Sequence, residues 1–300
     1  MYERILVPLD GSRAAENVLP YAHYLARRLG AAVELLTSVD VPDLESQVSA
    51  ERAAPLHKII ENGMRAAGEY LGRIGSTFTP EPTVLVREGR AEEVIIEEAA
   101  KQAGTLIAMA THGRSGLDRW VLGSVAEKVV RGAKKPVLLV RARKETNTKS
   151  EVRLDSVMVP LDGSELAESI LPAVAVLAKK LCMEIVLLRT YRVPYGGDRG
   201  GDGYYAIDLN ELIVAARDEA ESYLEKKAED LIRQGVTEVS CVVREGLSAD
   251  QIISEAREVS DCLIAMCAHG RSGLGRWILG SITETVVRHA ENPVLVMRPS

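Results

Sequence analysis

The sequence predicts two α/β domains in tandem, each built on a five-stranded parallel sheet flanked by helices. Two observations predict this architecture. The first half of the chain is repeated in the second, and in both halves short apolar runs alternate with longer segments of helical period. The runs are continuously apolar, which is typical of strands buried on both faces of a parallel sheet. We therefore expect two Rossmann-like, doubly wound domains.

The repeat is visible in two pairs of segments. ILVPLDGS at residues 5–12 returns as VMVPLDGS at 157–164, and THGRSGL at 111–117 returns as AHGRSGL at 268–274. The glycine-rich pair is followed by LGS, at 122–124 and at 279–281. Residues 142–150 are polar and aperiodic, which predicts a linker. We place the domains at 1–143 and 153–300.

The elements alternate along each half. The predicted strands of the first half are 4–9, 32–37, 82–87, 105–110 and 137–141, and its helices are 14–29, 55–73, 91–102 and 125–132. The second half repeats the strands at 156–161, 184–189, 238–243, 262–266 and 294–298. One departure is a glycine-rich insertion at 195–205, which is either a surface loop or a lid over a second site.

Composition excludes several classes of protein. A net charge of −6 disfavours a nucleic-acid binder that relies on bulk electrostatics. No apolar run approaches the ~20 residues of a membrane span, and the first residues lead directly into a strand pattern instead of a signal peptide. The four cysteines, all in the second half, match no zinc or CxxC spacing, so we expect reduced, mostly buried thiols. These features predict a cytoplasmic protein.

Ligands of doubly wound sheets bind beyond the carboxyl ends of the strands, where the strand order reverses. Asp10 and Asp162 end the first strand of each half and would lie there. Such a carboxylate can accept hydrogen bonds from ribose hydroxyls. The alternative is a turn or helix-capping aspartate, because Asp-Gly-Ser is typical of turns. The local sequence leaves both roles open.

The doubled glycine loop predicts a phosphate-binding site in each half. Glycines allow close approach of the backbone, and the start of a helix supplies unpaired N–H donors with a favourable dipole. The residues concerned are Gly113, Gly123 and Ser124, and Gly270, Gly280 and Ser281. A structural role is also open, because Ser124–Glu127 and Ser281–Glu284 have the spacing of capping boxes.

Other side chains near the loops have weaker assignments. Arginines beside a helix start can neutralise phosphate, or can simply be solvated: Arg114, Arg119, Arg271 and Arg276. His112 and His269 have no partnered nucleophile, metal-ligand spacing or paired carboxylate in the motif, so we expect structural roles and no catalytic or metal-binding residue. We expect Trp120 and Trp277 to pack in the core or at an interface.

A GxxxxGK[ST] motif is absent, and the first strand–helix turn lacks GxGxxG, which disfavours P-loop NTPases and dinucleotide enzymes.

Taken together, these motifs resemble the universal stress protein superfamily in its tandem form, over essentially all of both halves. The signature G-x2-G-x9-G-(S/T) is matched from Gly113 to Ser124 and from Gly270 to Ser281. The resemblance implies an adenine nucleotide alpha hydrolase-like fold with strand order 3-2-1-4-5. It also implies ATP, with or without Mg²⁺, as the ligand.

The resemblance implies an ATP-binding set in each half. In the first half the residues are Pro8, Leu9, Asp10, Val39, Met109, Ala110, His112, Gly113, Arg114, Gly116, Gly123, Ser124 and Val125. In the second half they are Pro160, Leu161, Asp162, Tyr191, Met266, Cys267, His269, Gly270, Arg271, Gly273, Gly280, Ser281 and Ile282. The first signature glycine is Ala110 in one half and the larger Cys267 in the other. We therefore expect ATP in the first half, and weaker binding or another ligand in the second.

The family also associates through its last strand, which here implies that residues 137–140 and 294–297 pair within one chain as a pseudo-dimer. A further homodimer is left open. The resemblance favours an ATP-binding regulatory stress protein with unidentified protein partners, not a dedicated catalyst. The alternatives are a weak ATPase or nucleotidyl- or phosphotransferase using Asp10 or His112, and an interaction module independent of nucleotide.

Overall fold

A computed structural model of the chain describes residues 2–40, 53–112, 122–141, 152–192, 209–268 and 279–298. The predicted linker at 142–150 and the glycine-rich insertion at 195–205 lie outside these residues. The strands of the first half are β1 (Arg4–Pro8), β2 (Ala32–Val39), β3 (Thr83–Glu88), β4 (Thr105–Ala110) and β5 (Val137–Val140). Its α-helices are α1 (Leu19–Leu29), α2 (Ala53–Gly75), α3 (Ala91–Ala100) and α4 (Ser124–Gly132).

The second half repeats this order of elements. Its strands are β6 (Ser156–Pro160), β7 (Glu184–Tyr191), β8 (Val239–Glu245), β9 (Cys262–Cys267) and β10 (Val294–Met297). Its helices are α5 (Glu165–Glu168), α6 (Leu171–Leu181), α7 (Leu209–Arg233), α8 (Ser248–Glu258) and α9 (Ser281–His289). The predicted helix at 14–29 is divided into a 3-10 turn at Ala15–Val18 and α1, because Pro20 lies in the first turn of α1, where proline is favoured.

All ten strands form one sheet of order β3-β2-β1-β4-β5-β10-β9-β6-β7-β8. The predicted order 3-2-1-4-5 is confirmed in each half, where neighbouring strands are parallel. The predicted pairing of the last strands is confirmed too: β5 and β10 are antiparallel, with Leu138 opposite Leu295. The pseudo-dimer therefore removes two strand edges from solvent.

Burial along the strands follows their position in the sheet. The central strands β4 and β9 are buried at every residue, as predicted. The same prediction is wrong for β3 and β8, which are only partly buried, with Val84 38% exposed. They are the outermost strands of the sheet and have a neighbour on one side only.

Each face of the sheet carries one core layer that crosses from one half into the other. One layer contains Ile5 and Val7 together with Val157, while the other contains Leu6 and Met158. The alternation along β1 places successive side chains on opposite faces. Because both layers are continuous, the two repeats share their hydrophobic core.

Two arginines bridge the seam between the halves in a reciprocal way. Arg141 Nη1 donates hydrogen bonds of 3.3 and 3.4 Å to the carbonyls of His289 and Ala290 at the end of α9. Arg298 Nη2 donates to the Val130 carbonyl in the last turn of α4, at 3.3 Å. Cations at helix C-termini are favoured by the helix dipole. The seam is thus built by β-pairing, core packing and helix capping together.

The cysteines are free thiols, in line with the predicted reduced state, but they are not mostly buried. Cys262 and Cys267 are buried, whereas Cys182 and Cys241 are exposed. Cys182 ends α6 in the left-handed conformation, at a turn that faces solvent, and Cys241 lies on the outermost strand β8.

Among the described helices, none has both the length and the apolar character that a membrane crossing requires.

Candidate functional site

Each half has a cavity beyond the carboxyl ends of its strands, beside β1 and β4 or their counterparts β6 and β9. The first cavity, in the first half, has a volume of about 210 Å³. The second cavity, in the second half, has a volume of about 580 Å³. Both lie at the point where the strand order reverses, as expected for a doubly wound sheet.

Most of the predicted site residues that the structure describes line these cavities. The first cavity is lined by Pro8, Leu9, Asp10, Met109, Ala110, His112, Gly123, Ser124 and Val125. The second is lined by Pro160, Leu161, Asp162, Tyr191, Met266, Cys267, Gly280, Ser281 and Ile282. The positions Gly113, Arg114, Gly116, His269, Gly270, Arg271 and Gly273 lie outside the described residues, as do Arg119, Trp120, Arg276 and Trp277.

Asp10 and Asp162 hold the turn that follows the first strand. The backbone N–H of Ser12 donates to Asp10 Oδ1 at 2.9 Å, and the N–H of Ser164 donates to Asp162 Oδ1 at the same distance. The serines in turn cap the next helical turn, through their hydroxyl oxygens. The turn role is therefore present, and the helix cap belongs to serine instead of aspartate. Both carboxylates are half-buried in the cavity walls, where the predicted ribose contact would be made.

Gly123 and Gly280 set the start of a helix against the cavity. The Gly123 N–H donates to the Thr111 carbonyl at 2.8 Å, and the Gly280 N–H donates to the Ala268 carbonyl at 2.8 Å. A Cβ at Gly123 would lie 3.0 Å from the Thr111 oxygen, closer than backbone atoms tolerate without movement. Glycine is therefore favoured here, because two backbone segments approach closely and any Cβ would force them to move.

The predicted capping boxes are not formed. Gly123 and Gly280 occupy the N-cap positions of α4 and α9 in extended conformation, and neither helix has a side-chain cap hydrogen bond. Ser124 and Ser281 are instead the first helical residues and are exposed at the cavities. At Gly123 the cap position favours glycine, because a Cβ would crowd the Thr111 carbonyl. The N–H groups of the first turn remain uncapped by side chains at the cavity, which is the arrangement that binds anions.

His112 has an unusual environment in the wall of the first cavity. Its Nδ1 shares a 3.0 Å hydrogen bond with Thr111 Oγ1, while its buried Nε2 has no hydrogen-bond partner among the described residues. Burial lowers the pKa of His112, and the positive charge of Arg141 lowers it further. The ring is thus neutral near pH 7, and its Nε2 is enclosed in the wall of the cavity.

The ends of the second strands differ between the halves. Val39 does not line the first cavity, although it was predicted there; its carbonyl accepts the Gly89 N–H at 2.9 Å. Tyr191 does line the second cavity, and its carbonyl accepts the Gly246 N–H at 3.1 Å. The backbone of both residues is therefore engaged by the loop after the third strand.

Cys267 lines the second cavity without closing it. Its thiol donates to the Leu166 carbonyl at 2.8 Å, and its own carbonyl accepts the Thr283 hydroxyl at 2.9 Å. Burial raises the pKa of this thiol, so it is protonated and unreactive near neutral pH. The larger residue points toward α5 and not across the cavity, which explains why the cavity remains open.

Sequence reasoning missed further wall residues, which come from strand ends, from the positions just after them and from helices. Ser38, Ala91, Ile95 and Thr111 line the first cavity; Arg189, Thr190, Arg192, Glu219, Ser248 and Thr283 line the second. Arg189 and Arg192 flank Tyr191, so the charge at this strand end is a signal that the sequence contained. Glu219 comes from the middle of α7, and only packing of that helix on β7 brings it to the cavity.

No group of three or more potential metal ligands occurs within the described ranges.

Comparison with known proteins gives consistent relatives. A family model described as the universal stress protein family matches residues 1–141 and 154–298. A universal stress protein of Mycobacterium bovis is 26% identical over 253 residues, covering 81% of this chain and 77% of that protein. One from Methanocaldococcus jannaschii is 32% identical over 148 residues, covering 48% of this chain and 85% of that protein. The crystal structure of a universal stress protein from Archaeoglobus fulgidus shares the fold over 100% of both chains, with a TM-score of 0.70 and 22% identity.

Proposed function

Because this chain belongs to the universal stress protein family, we propose that it is a regulatory stress protein that binds ATP, with or without Mg²⁺, in the first cavity. The observation that carries the proposal is the backbone cradle at Gly123. A Cβ there would crowd the Thr111 carbonyl at 3.0 Å, and the uncapped first turn of α4 faces the cavity. This cradle fits the phosphates of a nucleotide.

The remaining wall suits the rest of a nucleotide. Asp10 is placed to accept hydrogen bonds from ribose hydroxyls. Leu36, Met109 and Ile95 supply an apolar surface for the base. Bound ATP would stabilise one conformation of the chain by mass action and thereby control its contacts with protein partners. The chain would act by binding, and not by turnover.

Isothermal titration with ATP tests the proposal. Gly123→Val places a side chain against the Thr111 carbonyl, and we expect it to weaken the first site by about tenfold or more through lost charge-assisted hydrogen bonds. The matched control is Gly72→Ala on α2, where a Cβ meets no atom within 4 Å and binding should be unchanged. Absence of both ATP binding and an ATP-dependent thermal shift in the unaltered protein would refute the proposal.

One observation favours a second candidate, a weak ATPase. Nε2 of the neutral His112 is buried in the cavity wall with no partner among the described residues, and a rotation of the ring toward the cavity would let it accept a proton from water. If the chain is an ATPase, His112→Gln should abolish turnover while ATP affinity is retained. Phosphate release that is absent from the unaltered protein, or equal in the two proteins, rejects this candidate.

A further inference from the structure

The two halves differ most at the ends of their second strands, β2 and β7. Ala32 pairs with Arg4 as Glu184 pairs with Ser156, so β2 and β7 are equivalent position by position. Thr37 therefore corresponds to Arg189, and Val39 to Tyr191. One residue further, Asp40 corresponds to Arg192. The first half has one negative charge at this strand end and the second half has two positive charges.

Arg189 is held in a fixed position in the wall of the second cavity. Its side chain is only 13% exposed, and its guanidinium lies over the ring of Tyr223, 4.4 Å from the centroid. Tyr223 is anchored in turn, because its hydroxyl donates to Glu168 at 2.7 Å. A guanidinium held by stacking presents its donors in one orientation.

A carboxylate acceptor lies beside these donors. Arg189 Nη2 donates to Glu219 Oε1 at 3.3 Å, and Glu219 is 76% exposed at the cavity mouth. At the equivalent positions, which the structure describes, the first half has no such couple. Its Thr37 hydroxyl donates to the Leu9 carbonyl at 2.8 Å, and the residue four before Tyr70, the counterpart of Tyr223, is Ala66. The adjacent donor and acceptor are therefore specific to the second cavity.

This couple matches the hydrogen-bonding edge of one purine. Guanine presents the acceptors O6 and N7 to an arginine, and beside O6 it presents the N1–H and N2–H donors to a carboxylate. Adenine places its N6 amino donors where O6 would be, opposite the donors of Arg189. We propose that the second cavity binds a guanine nucleotide, with Arg189 and Glu219 reading the base and the start of α9 holding the phosphates. The phosphate end of this inference rests on the proposed function.

Titration of the full chain with ATP and GTP, separately and together, tests the inference. We expect one GTP per chain, bound without competition from ATP and favoured over ATP at the second cavity by about tenfold or more. GTP that fails to bind, or that competes with ATP for one site, overturns the inference alone when ATP still binds. GTP binding without ATP binding overturns the proposed function of the first cavity and leaves this inference standing.

Substitutions test whether Arg189 and Glu219 carry the binding of GTP. Arg189→Thr with Glu219→Ala installs the first-half residues and should abolish GTP binding while leaving ATP stoichiometry unchanged. The control is Arg233→Thr with Asp230→Ala, an exposed ion pair at the far end of α7. Arg189→Lys keeps the charge but loses the planar fork, so it should weaken GTP by about tenfold even if the double variant misfolds. Inorganic triphosphate that binds as tightly as GTP would show charge attraction without base reading and would overturn the inference.

Discussion

The phosphate ends of the two cavities are nearly identical, whereas their second-strand ends have opposite character. At the phosphate ends, Gly123 and Gly280 make the same 2.8 Å hydrogen bond to the preceding strand and begin helices of the same length. At the other ends, the neutral Thr37 of the first half corresponds to Arg189 of the second half, whose side chain is 13% exposed. A site made of backbone N–H groups tolerates little change, because any side chain would block it. Side-chain sites at strand ends can change freely, so ligand selectivity can diverge while anion binding is kept.

The largest expected effect is a loss of stability when a buried arginine of the first half is replaced by its counterpart in the second half. The first half buries Arg4, whose Nη1 pairs with Glu34 at 2.7 Å and whose Nη2 donates to the Glu98 carbonyl at 2.7 Å. The second half has the small Ser156 at this position. We expect Arg4→Ser to lower the free energy of unfolding by about 3–5 kcal/mol, because it leaves the Glu34 charge unpaired. Urea unfolding measures this.

The control for that comparison is Arg65→Ser, which removes an exposed ion pair with Glu69 on α2. Its effect should be about 0.5 kcal/mol or less. If Arg4→Ser costs no more than this control, the buried pair is dispensable and the halves are equally tolerant of substitution there.

A smaller effect is expected where helices α1 and α6 end. Gly30 ends α1 with φ 67°, and Cys182 ends α6 with φ 58°, both in the left-handed region that favours glycine. We expect Cys182→Gly to raise the free energy of unfolding by about 1 kcal/mol, and Gly30→Ala to lower it by a similar amount. Thermal unfolding measures both. A destabilised Cys182→Gly protein would contradict the conformational argument and point to contacts of the thiol instead.

The smallest effect concerns acid sensitivity of the first cavity. Burial, with help from Arg141, lowers the pKa of His112 in the folded chain, so the unfolded chain takes up the proton first as the pH falls. The part of the free energy of unfolding that depends on a neutral His112 is therefore complete above the unfolded pKa of about 6.5 and is lost progressively below it. We expect His112→Gln to lose less stability than the unaltered protein between about pH 7.5 and 5.5. Equal losses in urea unfolding would show that other groups dominate.

Part of the fold was predictable because it depends on local periodicity. Every predicted strand is present, with ends that differ by two residues or fewer, since apolar runs bounded by turn residues define strands locally. The burial of β3 and β8 was predicted wrongly, because a strand's own sequence does not tell whether it has one neighbour or two. The capping boxes failed for a related reason: their spacing is correct, but backbone packing against Thr111 places glycine at the cap.

The candidate site was predictable from the sequence to about the same extent as the fold. Residues at the ends of β1, β4 and their counterparts line the cavities as expected, because parallel strands share one carboxyl edge. Val39 was expected at the first cavity and does not line it. Glu219 could not be predicted, since its place depends on how the long α7 packs against β7.

The sequence by itself determined the duplication, the alternation of strands and helices in each half and the position of the glycine-rich loops. These follow from repeated motifs, from the period of apolar residues and from glycines that only a close backbone approach requires. Only the tertiary structure decided that both halves share one hydrophobic core, and that the second cavity is larger and carries the Arg189–Glu219 couple. Those features arise from contacts between residues far apart in the chain, whose distances no local pattern encodes.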